Sequence, residues 1–200
     1  MTKPLLSIGM IFKNEIRCIE RCLKSLQPLR EAIPCELVMA DTGATDGSRE
    51  VAEQYADILF DFPWVNDFSA ARNAVMERCS GIWYMSIDCD EWVDPDIEGY
   101  VTFLTARERF QEFNFASVII RNYNTAELAA GGGYADFLAV RLLRLSTGIR
   151  YEGNIHEHWP YGSDLRTMLI RGGVFHHDGY IYQNVAQQKE KQERNMNLLQ

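Results

Sequence analysis

Two spacings of apolar residues alternate along the first half of the chain. Leu5–Phe12 is an unbroken apolar run of strand length, and Glu36–Ala40, Ile58–Phe60 and Ile82–Ile87 are shorter runs of the same kind. Between them, apolar positions recur every three or four residues: Ile16, Ile19, Leu23 and Leu26, with Asn14 placed to cap the start; then Val51, Ala52 and Tyr55; then Ala71, Val75 and Cys79 within Asp67–Cys79. Strands alternating with helices in this way predict a mostly parallel sheet covered on both faces.

After Asp88 the pattern changes. Asp94-Pro95-Asp96 suits a helix start, Ala116–Arg121 and Phe137–Leu145 read as strands, and Ala129–Gly133 reads as a loop. The tail Gln183–Gln200 is polar and helix-prone with a thin apolar face, as if followed by more protein. The expected organisation is one domain over residues 1–182, with a nucleotide-binding half at about 1–92 and an acceptor and metal half at about 93–182, then a C-terminal helix at 183–200.

Composition limits the function classes. A formal charge of −8 argues against nucleic acid as a partner, which needs a basic face. No run longer than ten residues lacks a charge, so no integral membrane helix is expected. The five cysteines are scattered without a C-x-x-C pair, which fits a reducing, cytoplasmic location, whether free or peripheral to a membrane.

The polar groups that could do chemistry fall where the predicted strands end: Lys13-Asn14-Glu15, Asp41 and Asp88. In open parallel sheets that edge is where ligands bind. Asp94-x-Asp96 is explained by the helix start. Asp88-x-Asp90 closes an apolar strand, where two carboxylates repel each other unless solvated or bound to a cation such as Mn²⁺ or Mg²⁺. All four histidines lie between His156 and His177, so a mixed oxygen and nitrogen site is open to either cluster. At the end of the second strand Asp41 is free to bond a base or ribose, while Asp46 or Thr45 caps the next helix. Arg72 is either a surface residue or a phosphate or base contact.

As a set, Ser7–Glu15, Met39–Ser48, Phe68–Asn73 and Asp88-Cys89-Asp90-Glu91 resemble family 2 glycosyltransferases of the GT-A fold. Arg141–Arg144, Tyr151–Glu157, His177–Tyr180 and Lys191–Asn195 are similar to a bacterial branch with peptide-modifying members, several carrying helical repeats. The resemblance implies a Rossmann-like α/β domain, its mostly parallel central sheet flanked by helices on both faces, with a smaller mixed sheet on the acceptor side. It implies a nucleotide-sugar donor, a UDP-sugar, held by Glu15, Asp41, the backbone near Ile11, Arg72 and Asp88. Asp90 and His177 would bind the metal with a share from Asp88, and His176 competes with His177. Glu157 would be the general base in an inverting transfer, with Asp178 as fallback. The acceptor stays open among peptide, glycan and lipid-linked glycan. A nucleotidyltransferase would carry a glycine-rich basic loop near the start, and Lys13-Asn14-Glu15 is not one; a non-catalytic binding module is the other alternative.

Overall fold

A computed structural model describes residues 3–106, 109–123, 133–160, 166–179 and 189. Most of the glycine loop, Tyr180, the Lys191–Asn195 motif and the tail other than Lys189 lie outside the described residues.

The elements are β1 (Leu6–Phe12), α1 (Ile19–Ser25), α2 (Gln27–Ala32), β2 (Cys35–Asp41), α3 (Ser48–Ala52), β3 (Ile58–Asp61), α4 (Phe68–Arg78), β4 (Trp83–Ser86), β5 (Glu91–Val93), α5 (Glu98–Thr105), β6 (Phe115–Asn122), β7 (Ala135–Arg144), β8 (Thr167–Leu169) and β9 (Phe175–His177). They build one mixed sheet in the order β3-β2-β1-β4-β7-β6-β9-β5, with β8 also paired to β6. The run β3-β2-β1-β4 is parallel, and β7 joins it antiparallel to β4, so the mixed part continues the parallel part through hydrogen bonds.

Alternation along the strands sorts two cores. Leu6, Ile8, Met10, Phe12, Leu37 and Met39 pack with α1, α2 and α5 on one face. Val38, Ala40 and Tyr84 pack with Val75 and Met76 of α4 and with Tyr151 and Trp159 on the other. Helices therefore cover both faces, as the pattern predicts. The Tyr84 ring crowds β1 at Gly9, where a Cβ would come within 2.2 Å of it.

Three local expectations are corrected. Asn14 does not cap a helix; it has φ 56° and its side chain accepts from the Thr45 N–H at 2.7 Å. The Glu15 and Ile16 N–H groups donate to Ser48 Oγ and Asp46 Oδ2, so the chain leaves β1 as a loop, the helix starts at Ile19, and Ile16 is exposed. Neither Asp46 nor Thr45 is the cap of α3, since Gly47 holds that position and Asp46 makes a turn with Ser48 just before it. Asp94-Pro95-Asp96 also forms turns ahead of α5, which opens at Glu98.

Candidate active site

The strand ends deliver the expected groups to one edge. Ile11 and Phe12 end β1, and Glu15 follows with its carboxylate accepting a hydrogen bond from Cys18 Sγ at 3.3 Å. Asp41, at the end of β2, does not stand free. Its Oδ1 accepts from Gly43 and Ala44 N–H at 2.9 and 2.7 Å, and its Oδ2 pairs with Arg49 at 3.0 Å. One acceptor position thus remains on Oδ2, since each carboxylate oxygen accepts about two hydrogen bonds.

Beyond β4, five charged side chains alternate in sign across the sheet. Glu91 pairs with Arg141, Arg141 lies 3.8 Å from Asp88 Oδ2, Asp88 Oδ1 accepts from Arg72 at 2.7 Å, and Arg72 Nε donates to Glu157 at 2.6 Å. Arg72 also donates to Ser86 Oγ at 2.9 Å. It is neither a surface residue nor a free phosphate contact, being only 6% exposed. Burial opposes ionisation of Asp88, yet Arg72 and then Arg141 hold its carboxyl well below the usual range. Burial dominates at Glu91 and, with the charge of Asp88 nearby, raises it despite Arg141.

Helix α4 fixes the far end of this chain of charges. Asp67 caps it by accepting from Ala70 N–H. Ser69 Oγ donates to the Gly153 carbonyl at 2.6 Å, and Asn73 exchanges hydrogen bonds with both backbone groups of Tyr151. The Tyr151–Glu157 segment is therefore bound to α4 along its length. Glu157 gives Oε1 to Arg72, leaving Oε2 without a hydrogen-bond partner among the described residues.

Asp90 and His177 meet across the antiparallel pair β5 and β9, where Glu91 lies opposite His177. His177 Nε2 is 3.5 Å from Asp90 Oδ2, and its Nδ1 is 2.8 Å from Asn122 Oδ1, which orients the ring. Burial alone would lower the His177 pKa, but Asp90 raises it, with smaller help from Glu91 and Asp88. Gly179 borders the pair closely: a Cβ there would lie 2.0 Å from Asp90 Oδ2 and 2.5 Å from His177 Nε2. A side chain at this position would collide with both groups, so the close approach of the backbone favours glycine. Among the described residues no group of three or more histidine, cysteine or carboxylate side chains forms a closed metal site.

The neighbouring candidates are engaged elsewhere. His176 is stacked on Trp92, with Nδ1 2.8 Å from the Tyr123 hydroxyl, so its ring belongs to an aromatic cluster. Asp178 is bound by Arg21 at 2.9 Å and by Arg17 at 3.5 Å; burial opposes these two arginines, which still hold its pKa below the ordinary value. His156 and His158 sit in the segment held by α4, where Glu152 and His158 form an isolated bridge.

Sequence reasoning gave no site role to Arg141, Glu91 or Gly179, although all three lie in the stretches that carry the family resemblance. A signal existed for Arg141, the one charge within the apolar stretch Phe137–Leu143. Arg141 also lines a cavity of about 130 Å³ with Arg72, Ser86, Val140, Tyr151, Glu157, His158 and Trp159.

Comparisons with known proteins bear on the family and the fold. The sequence profile described as Glycosyl transferase family 2 matches residues 7–134. The SPbeta prophage-derived glycosyltransferase SunS of Bacillus subtilis is 28% identical over 200 residues, covering 98% of this chain and 44% of its own length. The chain thus spans less than half of that relative. Among solved structures, S. aureus TarS 1–349 superposes with a TM-score of 0.57 at 11% identity, over 86% of this chain and 60% of its own. The mannosyltransferase PcManGT from Pyrobaculum calidifontis, in complex with GDP-Man and Mn²⁺, superposes with a TM-score of 0.50 at 18% identity, over 60% of this chain and 37% of its own. No described helix is long and apolar enough to cross a membrane.

Proposed function

We propose, from the premise that the chain belongs to glycosyl transferase family 2, that it transfers a sugar from a nucleotide sugar to an acceptor with the help of a divalent cation. The observation that carries this reading is the Asp90–His177 pair, 3.5 Å apart beside a glycine at the ligand-binding edge of a GT-A sheet. One carboxylate and one imidazole suit Mn²⁺ or Mg²⁺, because such ions keep open positions for water and phosphate oxygens. When bound, the ion supplies charge neutralisation for the leaving diphosphate. The similar mannosyltransferase was solved with Mn²⁺ and GDP-Man.

In this reading Asp90 and His177 hold the ion. Asp88, tied to Arg72 and Arg141, turns its remaining acceptor capacity toward the ribose and the ion's water shell. Glu15, the remaining acceptor position of Asp41 and the backbone near Ile11 receive the nucleoside, a uridine. Arg72 acts from behind Asp88, fixing its orientation. The nucleotide half then corresponds to residues 1–92 and the acceptor half to residues 93–182.

Glu157 is the general base. Its Oε2 is available to take a proton from the acceptor as the nucleophile attacks the anomeric carbon and the bond to the diphosphate breaks, with inversion. Asp178 suits that role less, because two arginines stabilise its ionised form. The acceptor is a peptide, glycan or lipid-linked glycan. Incubation with UDP-sugars and Mn²⁺ tests the reading: slow UDP release, lost on chelation, is expected. Binding without release would indicate a non-catalytic module, and pyrophosphate-dependent formation of UDP-sugar a nucleotidyltransferase.

A further inference from the structure

Asp178 follows the proposed metal ligand His177 in the chain and is buried, and both of its oxygens face arginines. Arg21 holds Oδ2 at 2.9 Å, and Arg17 reaches Oδ1 and Oδ2 at 3.5 Å each. A buried ion pair adds little net stability, since desolvation offsets the attraction, and its best use is to fix one arrangement of the chain. The partners of Asp178 show which arrangement that is.

Arg17 stands in the turn after β1, which the Cys18 and Ile19 N–H groups close onto the Glu15 carbonyl at 3.0 and 2.9 Å. Arg21 belongs to α1, and its guanidinium also lies 3.8 Å from the centroid of the Trp92 ring on β5. Trp92 in turn stacks on His176 of β9, with centroids 5.0 Å apart. The Asp178 N–H donates to the Asp90 carbonyl at 3.2 Å. One carboxylate and two guanidinium groups therefore join the Glu15 turn and α1 to β5 and β9, the strands that present Asp90 and His177. Those strands need such a tie. Each has three residues, and among the described residues β5 pairs with β9 alone. Short ladders at a sheet margin open more readily than core strands.

We propose that Asp178 is a positioning residue: clamped by Arg17 and Arg21, it sets the placement of His177 against Asp90 and ties that pair to the nucleotide-side turn at Glu15. The inference rests on the metal-dependent glycosyltransferase reading, and it replaces the fallback role of Asp178 as a base. Losing a group that orients a metal ligand costs about 10–100-fold in metal affinity. Asp178 acts through the backbone beside His177 rather than through its ring, so the lower end is expected. The test is titration calorimetry of UDP, with and without Mn²⁺, on Asp178→Asn, which keeps the shape and removes the charge, and on Arg21→Met, which keeps an apolar stem beside Trp92. Both should bind UDP without metal within about twofold of wild type and lose about tenfold in Mn²⁺-dependent strengthening. Arg21→Lys, which keeps the charge, should retain more of that strengthening than Arg21→Met. The two Arg21 variants remain informative if Asp178→Asn fails to fold. Full Mn²⁺ strengthening in the folded variants overturns the inference, whether transfer is lost, as for a base, or stability alone falls, as for a merely structural ion pair. Absence of Mn²⁺ strengthening in wild type would instead contradict the metal-dependent reading.

Discussion

Replacing Arg72 with methionine should damage this fold more than any single change on its surface. The guanidinium is 6% exposed and makes three hydrogen bonds: 2.6 Å to Glu157, 2.9 Å to Ser86 and 2.7 Å to Asp88. Removing one partner of a buried ion pair costs about 3–5 kcal/mol, chiefly because the other charge stays buried. The Asp88 side chain is 35% exposed and keeps Arg141 at 3.8 Å, so solvent and that neighbour screen part of its loss. The Glu157 side chain is 15% exposed and loses its ion-pair partner. The lower end of the range, about 3 kcal/mol, is therefore expected. In a chain of this size that lowers Tm by roughly 6–12 °C. Scanning calorimetry of wild type, Arg72→Met, Glu157→Gln and the double variant measures both the cost and the coupling. Glu157→Gln should be less harmful in the Arg72→Met background, because the stranded charge is then gone. A cost under about 1 kcal/mol, or additive single effects, would refute the claim that Arg72 is held by its carboxylates.

Two further outcomes follow from the same geometry. Gly179→Ala would drive a methyl into Asp90 Oδ2, 2.0 Å away, and displace the Asp90–His177 pair, and should abolish Mn²⁺-dependent strengthening of UDP binding while circular dichroism stays native; retained metal dependence would contradict a role for that pair in holding the ion. Asp88 has a lowered pKa in the fold, so its stabilisation is complete above the unfolded value of about 3.9 and is lost as pH falls through the lowered value. Asp88→Asn should accordingly flatten the fall in stability below about pH 4, as read by urea unfolding at several pH values, and an unchanged slope would count against the pairing.

The parallel core is legible in the sequence because β1 and β2 are buried on both faces and so read as uninterrupted apolar runs. The three-residue strands β5, β8 and β9 are not legible, since each is too short to display a period and forms only by pairing with β6 or with one another. Asn14 misleads for a related reason. A polar residue before helical spacing looks like a cap, but Asp46 and Ser48, about 30 residues on, compete for the next N–H groups and delay the helix. At the site, Asp88 and Asp90 stand out because they end an apolar strand. Their partners do not, because Arg72 and His177 reach them through folding rather than adjacency. The salt bridge of Arg141 to Glu91 spans 50 positions, and an arginine in a strand carries no mark of its partner. Gly179 becomes meaningful only once the distance from its Cβ position to Asp90 is known.

Mn²⁺-dependent UDP binding, measured by titration calorimetry in wild type and Asp90→Ala, tests the central reading most directly. With Asp90 and His177 3.5 Å apart as the protein's share of the ion site, Mn²⁺ should strengthen UDP binding to wild type at least tenfold and leave binding to Asp90→Ala unaffected. Equal Mn²⁺ enhancement in the two proteins would contradict it.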